Sequence, residues 1–429
     1  MQELKIGAQF EGSINISTKG IGYVKVRELN ISIEIPREAL NRAFHSDNVL
    51  VEVTALPKGE NPQGKVLDII RRAKIGYSGT LDFAQGAHCI VSNDGRMYTP
   101  IVIPTDKLSG AKQGEKVFCS IDAWPDPMGT PTGSVTRVLG KPLENNAEML
   151  SLALEKGFDD SYPPEVEAEA KAIHEKGITA DEISGRRDFR QTTTFTIDPA
   201  DAKDFDDAIS IKFLENGNTE VGIHIADVSH YVTPGSALDK EAYRRATSVY
   251  LVDRTIPMLP EVLSNELCSL NPDVDRLTMS AVFEITPKFE IVSEWFGKTV
   301  IHSHYRFTYE NAQEVLDKQS GPFLDELNVA LAIAEDLEKK RFASGALSLD
   351  APEVKFKLDE TGHPIGVYTK IRGATHHMIE ELMLLANRKV AQFIATRDTN
   401  AQEIFMYRIH DKPDLDRMND LHEFLKRLG

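Results

Sequence analysis

The segment Phe195–Ile211 reads FTIDPADAKDFDDAISI and holds five aspartates: Asp198, Asp201, Asp204, Asp206 and Asp207. The runs TTTFTI before it and AISIKF after it have the β-branched, alternating character of strands, so the reading is strand, acidic loop, strand. Carboxylates crowded into so short a loop repel one another. If they converge, either their pKa values rise or a cation neutralises them. A hard divalent ion is the economical solution. Mg²⁺ or Mn²⁺ takes oxygen ligands and keeps waters, and two such ions can stabilise both the attacking and the leaving oxygen of a phosphodiester displacement. The ordinary alternative is a solvated loop whose aspartates cap turns, and spacing alone does not exclude it. An EF-hand is a poor fit, because the D-x-D-x-D-G spacing with a glutamate at position twelve is missing.

Outward from this loop, VGIHIADV and LTMSAVFEI read as further strands, and helical spacing is found around 322–341 and 375–395. This alternation predicts an α+β domain over 183–429. Before it, NAEMLSLALEKG and PPEVEAEAKAIHEKG have helix spacing, with glutamates early and lysines late as the helix dipole favours, which predicts a helical acidic connector over 143–182. From 5 to 72 the chain reads as short strands. Ile31, Ile33 and Ile35 alternate with Ser32 and Glu34 as in a half-buried strand. A second run of the same kind extends from 77 to 138. Closure removes the exposed edges of such small β units, so two consecutive barrels are expected, over 1–74 and 75–142. At the far end, LDRMNDLHEFLKRL places Leu415, Met418, Leu421, Leu425 and Leu428 on one helix face that needs a cover. Either a natural terminus or an interrupted domain fits that pattern.

The whole chain has 429 residues, 66 Asp+Glu against 49 Lys+Arg, a formal charge of −17 and 41% hydrophobic residues. That length suits roughly three domains at about 150 residues each. No apolar run approaches the ~20 residues that cross a bilayer, and the start has no signal-peptide pattern, so a cytoplasmic protein is expected. Cys89, Cys119 and Cys268 form no C-x-x-C pair, so neither a disulfide scaffold nor a cysteine zinc site is indicated. Residues 1–140 carry 16 basic and 15 acidic side chains, leaving the excess acid to the rest. An anionic ligand meets the front of the chain more easily.

The blocks TIDPADAKDFDDA, HIADVSHYV, TSVYLVDRTIPMLPEVLSNELCSLNP, GALSLDAPE and HHMIEELMLLAN follow one another over roughly 240 residues. In content and order they closely resemble the ribonuclease II and ribonuclease R family of 3′-to-5′ exoribonucleases. GIGYVKV and IEIP are similar to a cold-shock-type barrel, two of which precede the catalytic domain there. The resemblance implies a multidomain chain: two small all-β OB/cold-shock-type barrels, then an α+β RNB-type catalytic domain that is incomplete here. It implies that Asp198, Asp204, Asp206 and Asp207 form a magnesium-binding centre, with Mn²⁺ as a substitute. Asp198 and Asp207 then hold the tighter ion, and Asp206 is the catalytic residue on which the chemical step leans most. Asp201 falls outside the family spacing.

The implied partner is single-stranded RNA, cut to 5′-monophosphate nucleotides, with no membrane and no inferable protein partner. Tyr250 matches the family aromatic that stacks on the 3′-terminal base, and base stacking is tolerant of sequence. Tyr309 and Glu380 match ribose-sensing contacts, where a carboxylate can accept from a 2′-hydroxyl. Leu349 stands where several bacterial members carry phenylalanine, so the second wall of the base clamp is expected to be aliphatic. His376 and His377 lack the H-E-x-x-H pattern and are not read as metal ligands. On the first barrel Tyr23 is the best stacking candidate, with Phe10 and Phe44 equally suited to the core. The family's phosphate-holding arginines and its S1-type barrel lie beyond this stretch, so little or no activity is expected of the chain alone. The competing reading is a non-catalytic RNA-binding or regulatory protein with a truncated nuclease fold.

Overall fold

The computed structural model describes residues 4–26, 29, 31–59, 61–84, 86–92, 94–348, 353–360, 362–396, 405–407, 409 and 411–428. Leu349 lies outside the described residues. The chain forms two compact units that do not follow it linearly: Met1–Glu167 with Asp239–Pro260 and Lys355–Tyr368, and Ala168–Leu238 with Glu261–Val354 and Thr369–Gly429.

The first unit contains the two barrels. β1 (Gln9–Ile16), β2 (Gly22–Val26), β3 (Ile31–Ile35), β4 (Asn48–Ala55) and β5 (Gln63–Arg71) close in the order β1-β2-β3-β5-β4. β6 (Tyr77–Ala84), β7 (Ala87–Val91), β8 (Ile101–Ile103), β9 (Lys116–Ala123) and β10 (Thr132–Gly140) close in the same cyclic order. In each barrel the third and fifth strands pair parallel, and the other pairs are antiparallel. The repeat extends to single residues. Gly64 and Gly133 each take the second position of the fifth strand. A Cβ would lie 2.8 Å from the Glu52 carbonyl oxygen at Gly64 and 2.2 Å from that of Ser120 at Gly133. Only glycine lets the closing strand approach its neighbour this closely.

The alternation read in ISIEI holds: Ile33 and Ile35 join Ile14, Ile16, Val24, Val49, Val51 and Val53 in the first core. Phe10 belongs to that core. Phe44 lies in the core of the second barrel, 4.8 Å from the Tyr77 ring and 5.2 Å from Trp124. Neither phenylalanine is a stacking platform. Its turn is held by buried Asp47, which accepts from the amides of Phe44 at 2.8 Å and Ala73 at 2.9 Å and from Arg72 Nη1 at 2.6 Å. The connector is helical as expected, in α1 (Asn145–Glu155), α2 (Pro164–Lys176) and α3 (Ala180–Ser184). Yet α1 is no loose spacer: Ala147, Leu150 and Leu154 pack on Phe118 and Leu139 of the second barrel.

The second unit is built on a seven-stranded sheet. Its strands are β11 (Arg187–Asp188), β12 (Thr194–Asp198), β13 (Asp207–Phe213), β14 (Thr219–Ala226), β17 (Asp275–Ile285), β18 (Ile291–His302) and β19 (Tyr305–Thr308), ordered β11-β18-β17-β14-β13-β12-β19. Between β14 and β17 the chain passes through α4 (Val228–Tyr231), α5 (Ala237–Arg245), a small hairpin β15 (Val249–Tyr250) and β16 (Thr255–Ile256), and a π-helical turn at Val262–Leu267. After β19 come α6 (Tyr309–Lys318), α7 (Leu324–Ala343), a hairpin of β20 (Glu353–Leu358) and β21 (Pro364–Lys370), α8 (Ala374–Thr396) and α9 (Leu415–Leu428).

Helices α6, α7 and α8 share one core with the sheet, formed by Phe195, Ile223, Phe283 and Phe307 against Leu327, Ile333, Met378 and Leu382. The opposite sheet face buries a polar chain instead. His224 lies 2.8 Å from Ser210 Oγ and 2.6 Å from Ser280 Oγ, and Ser280 is bonded in turn to Thr299. This serine–histidine arrangement is sealed inside the protein, with His224 fully buried, so it is architectural. None of the described side chains of α9 is buried. No described helix is long and apolar enough to cross a membrane.

Candidate metal centre

Sheet register explains why the acids meet. Asp198 ends β12 and Asp207 begins β13, and these two strands pair antiparallel through Thr194↔Ser210 and Phe195↔Ile209. Both carboxylates therefore emerge at the same end of adjacent strands, with 199–206 looping between them. On the other side of β12, Asp198 is the register partner of Thr308 in parallel β19. Thr308 caps α6 by accepting from the Asn311 amide at 3.0 Å, which fixes Tyr309 as the first helical residue.

The loop is braced at three points. Arg306 Nη2 donates to the carbonyl oxygens of Pro199 at 2.7 Å and Ala200 at 3.1 Å, and its guanidinium lies 5.3 Å from the Phe205 ring centre. Ser269 Oγ donates to the Lys203 carbonyl at 2.8 Å and accepts from the Phe205 amide at 3.0 Å. The Ala226 amide donates to the Asp206 carbonyl at 3.0 Å. A loop whose carbonyls and amides are committed in this way has its backbone path fixed between the two strands.

The electrostatics report convergence. Burial, and next the charge of Asp207, push the Asp198 carboxyl up to about 7. Burial followed by Asp206 raises Asp207 to about 6. Asp206 keeps much surface in solvent, yet the protein crowding its carboxyl and the charge of Asp204 raise it as well. Asp201 is exposed. Asp198 Oδ2 is buried with no hydrogen-bond partner among the described residues. An acceptor in that state is costly unless a proton or a cation meets it. The donor set is all oxygen and acidic, which suits a hard divalent ion. The fit is one of chemistry and neighbourhood: among the described residues no three His, Cys, Asp or Glu side chains are already drawn into a ligating cluster.

Tyr309 belongs to this neighbourhood. Burial and the charges of Asp207 and Asp198 push its phenol up to about 12. Glu380, on α8, is ion-paired with Arg372 and lies 3.9 Å from Arg341 Nη2, so its carboxylate already has cationic partners. Tyr250 sits in the β15–β16 hairpin opposite Thr255, is 66% exposed, and belongs to the first compact unit.

Comparison with known proteins shows the family to which the chain belongs. The model of the RNB domain matches residues 186–428, that of the Ribonuclease B OB domain residues 12–69, and that of the cold shock domain residues 90–163. The chain belongs to the ribonuclease II/ribonuclease R family of RNB-domain proteins. Ribonuclease R of Thermotoga maritima is 36% identical over 99% of this chain and 60% of its own length. The human exosome complex exonuclease RRP44 is 39% identical over 78% of this chain and 35% of its own. The chain thus spans about three-fifths of the bacterial relative. Mycoplasma genitalium RNase R, solved with ribose-methylated single-stranded RNA, superposes with a TM-score of 0.85 at 26% identity, covering 98% of this chain and 66% of that one.

Within this RNB domain the acids were legible and their supports were not. Arg306 sits two residues from Thr308 in YRFTYE, and Ser269 lies inside NELCSLNP. Only register and loop closure show that both hold the acidic loop.

Proposed function

We propose that this chain carries the acidic centre of a metal-dependent 3′-to-5′ exoribonuclease that hydrolyses single-stranded RNA to 5′-monophosphate nucleotides. The observation that carries the reading is the orphaned, buried Asp198 oxygen beside Asp207 and Asp206, three carboxyls whose pKa values are raised first by burial and then by the charge of a neighbouring aspartate. Asp198 and Asp207, fixed on adjacent strand ends, are the residues to hold a tight Mg²⁺ or Mn²⁺. Asp204 and Asp206, on the loop, complete the set. A divalent ion bound there supplies charge neutralisation for the phosphate and an activated water for in-line attack.

The chain's own part is placement. Arg306 and Ser269 keep the loop closed, and burial excludes competing water from Asp198. Tyr309, at the first turn of α6, offers a phenol beside the acids that stays protonated at neutral pH and can donate to a sugar or phosphate oxygen. Tyr250 supplies an exposed ring to stack on a base, and Glu380 a carboxylate for the ribose once it exchanges its arginine partner.

The test is twofold. Calorimetric titration with Mn²⁺ should show binding that Asp198→Asn weakens sharply. A 5′-labelled single-stranded RNA should be shortened stepwise from its 3′ end, with Mg²⁺ and not with EDTA, by this chain joined to the remaining length that its bacterial relative carries, and little or not at all by these 429 residues alone. Retained RNA binding with neither metal uptake nor cleavage would favour a non-catalytic RNA binder and sink this reading.

A further inference from the structure

His376 occupies the first turn of α8 and was set aside as a metal ligand. Its surroundings give it another task. The ring lies flat against Tyr309, with centroids 4.0 Å apart and planes 10° from parallel. Nδ1 accepts a hydrogen bond of 3.2 Å from the Gly373 amide. An amide can only donate, so Nδ1 is the bare nitrogen and a neutral ring carries its proton on Nε2. Burial, and next the charge of Lys370, lower the His376 pKa, which keeps the ring neutral. Nε2–H is thus a donor of fixed direction. It is buried and has no acceptor among the described residues.

A buried donor without an acceptor destabilises the fold, and one half of the ring already does the structural work of holding Gly373. The other half points to a ligand. Its neighbours say which kind. Tyr309 links the ring to Asp198 and Asp207, whose charges act on its phenol. Lys370 Nζ stands 5.9 Å from the Tyr309 ring centre. A neutral N–H donor and an ammonium beside one aromatic ring, adjacent to an acidic centre, suit an anionic oxygen.

We propose that His376 binds the RNA strand directly, its Nε2–H donating to a non-bridging phosphate oxygen beside Tyr309, with Lys370 neutralising that phosphate. This rests on the nuclease reading for the identity of the ligand, and it assigns a contact which that reading does not contain. The arrangement fixes the strand against Tyr309 before the adjoining phosphodiester reaches the acids, so His376 governs binding rather than the chemical step.

Two amide substitutions separate the halves of the ring. In His376→Asn the side-chain oxygen can replace Nδ1 at Gly373, but the far donor is lost. In His376→Gln the amide nitrogen can reach the Nε2 position, but the Gly373 contact is lost. The experiment is fluorescence anisotropy of a 5′-fluorescein-labelled single-stranded RNA in EDTA, over a range of salt, with thermal unfolding of each variant. The expected result is binding about tenfold or more weaker for His376→Asn, as for loss of a hydrogen bond to a charged group, with an unchanged salt slope. His376→Gln should bind within about threefold of the parent yet unfold at a lower temperature than His376→Asn. Lys370→Gln should flatten the salt slope by about 0.7, the contribution of one phosphate contact on a single strand. Equal weakening by both amides would mean a purely structural ring and overturn the proposal, as would parental affinity in His376→Asn. An unchanged slope in Lys370→Gln overturns the phosphate assignment. Failure of the parent to bind RNA takes down the nuclease reading together with this one, whereas a binding parent with an indifferent His376→Asn removes this one alone.

Discussion

Arg306 Nη2 donates a 2.7 Å hydrogen bond to the carbonyl oxygen of Pro199, the residue that follows Asp198. The same nitrogen reaches Ala200, and the guanidinium charge is among the influences that lower the Asp198 carboxyl. Arg306→Met keeps the stem and removes both bonds, so the loop loses its first brace while the strands stay paired. Charge-assisted hydrogen bonds of this kind are worth about 1.5–3 kcal/mol. The expected outcome is Mn²⁺ binding weakened about tenfold in calorimetry, with circular dichroism unchanged. An unaltered Mn²⁺ isotherm would show that the loop holds its shape without Arg306.

Asp206 is the test of the chemistry as distinct from the binding. Asp206→Asn keeps the shape of the side chain, removes one charge from the loop and leaves Asp198 and Asp207 on their strand ends. In the chain joined to the remaining length of its bacterial relative, hydrolysis of single-stranded RNA should fall below detection, while affinity for the same RNA stays equal or rises slightly as repulsion is relieved. Parallel rate and anisotropy measurements check this, and parental turnover by the variant would remove Asp206 from its role.

The acids also set the pH response. Unfolded aspartates titrate near 4, whereas Asp198 is held up to about 7 and Asp207 to about 6. Between these limits the folded chain binds protons that the unfolded chain has shed. The resulting contribution to stability is complete at low pH and is lost as pH rises through about 6 to 7. Buried His224, pushed down to about 3, has the opposite sign: below about 6.5 the unfolded chain takes up a proton that the folded one refuses, so acid destabilises. The double variant Asp198→Asn, Asp207→Asn isolates the first effect. In EDTA its urea midpoint should gain on the parent between pH 5 and pH 8, and Mn²⁺ should restore the parent at pH 8. A difference between the two proteins that ignores pH would contradict the shared acidic centre.

Local pattern made the fold readable where one face of an element is buried and the other is not. ISIEI is such a strand, and its buried positions are the ones alternation selects. The five aspartates were visible as a cluster, but their spacing also suits a solvated loop, and it was the resemblance of the surrounding blocks that singled out four of them. What escaped the sequence depends on closure over distance. Arg306 and Pro199 are brought together by parallel pairing of β12 with β19, and no local spacing encodes that. Phe44 offers the same ring to a base or to a core, and only the junction of the barrels decides. The helical connector was visible, but its docking on Phe118 and Leu139 was not, since an amphipathic helix specifies a face and not the surface that receives it. Leu415–Leu428 shows the converse, a helix legible in full whose described side chains are all exposed.

Phe44 supplies the remaining prediction. It leaves the first barrel and fills the second among Tyr77, Trp124 and Tyr98, with the Arg72 guanidinium 5.6 Å from its ring centre. Asp47 ties the turn that carries it to Arg72 and Ala73. Truncation therefore opens a cavity at a point where two cores meet, and Phe44→Ala should cost about 3–4 kcal/mol. Phe44→Leu retains most of the volume and should cost roughly half as much. Because Phe44 is buried, the effect belongs to stability: equilibrium unfolding should shift, while RNA affinity measured well below the transition stays parental. Weaker RNA binding by a fully folded Phe44→Leu would instead return this ring to the binding surface.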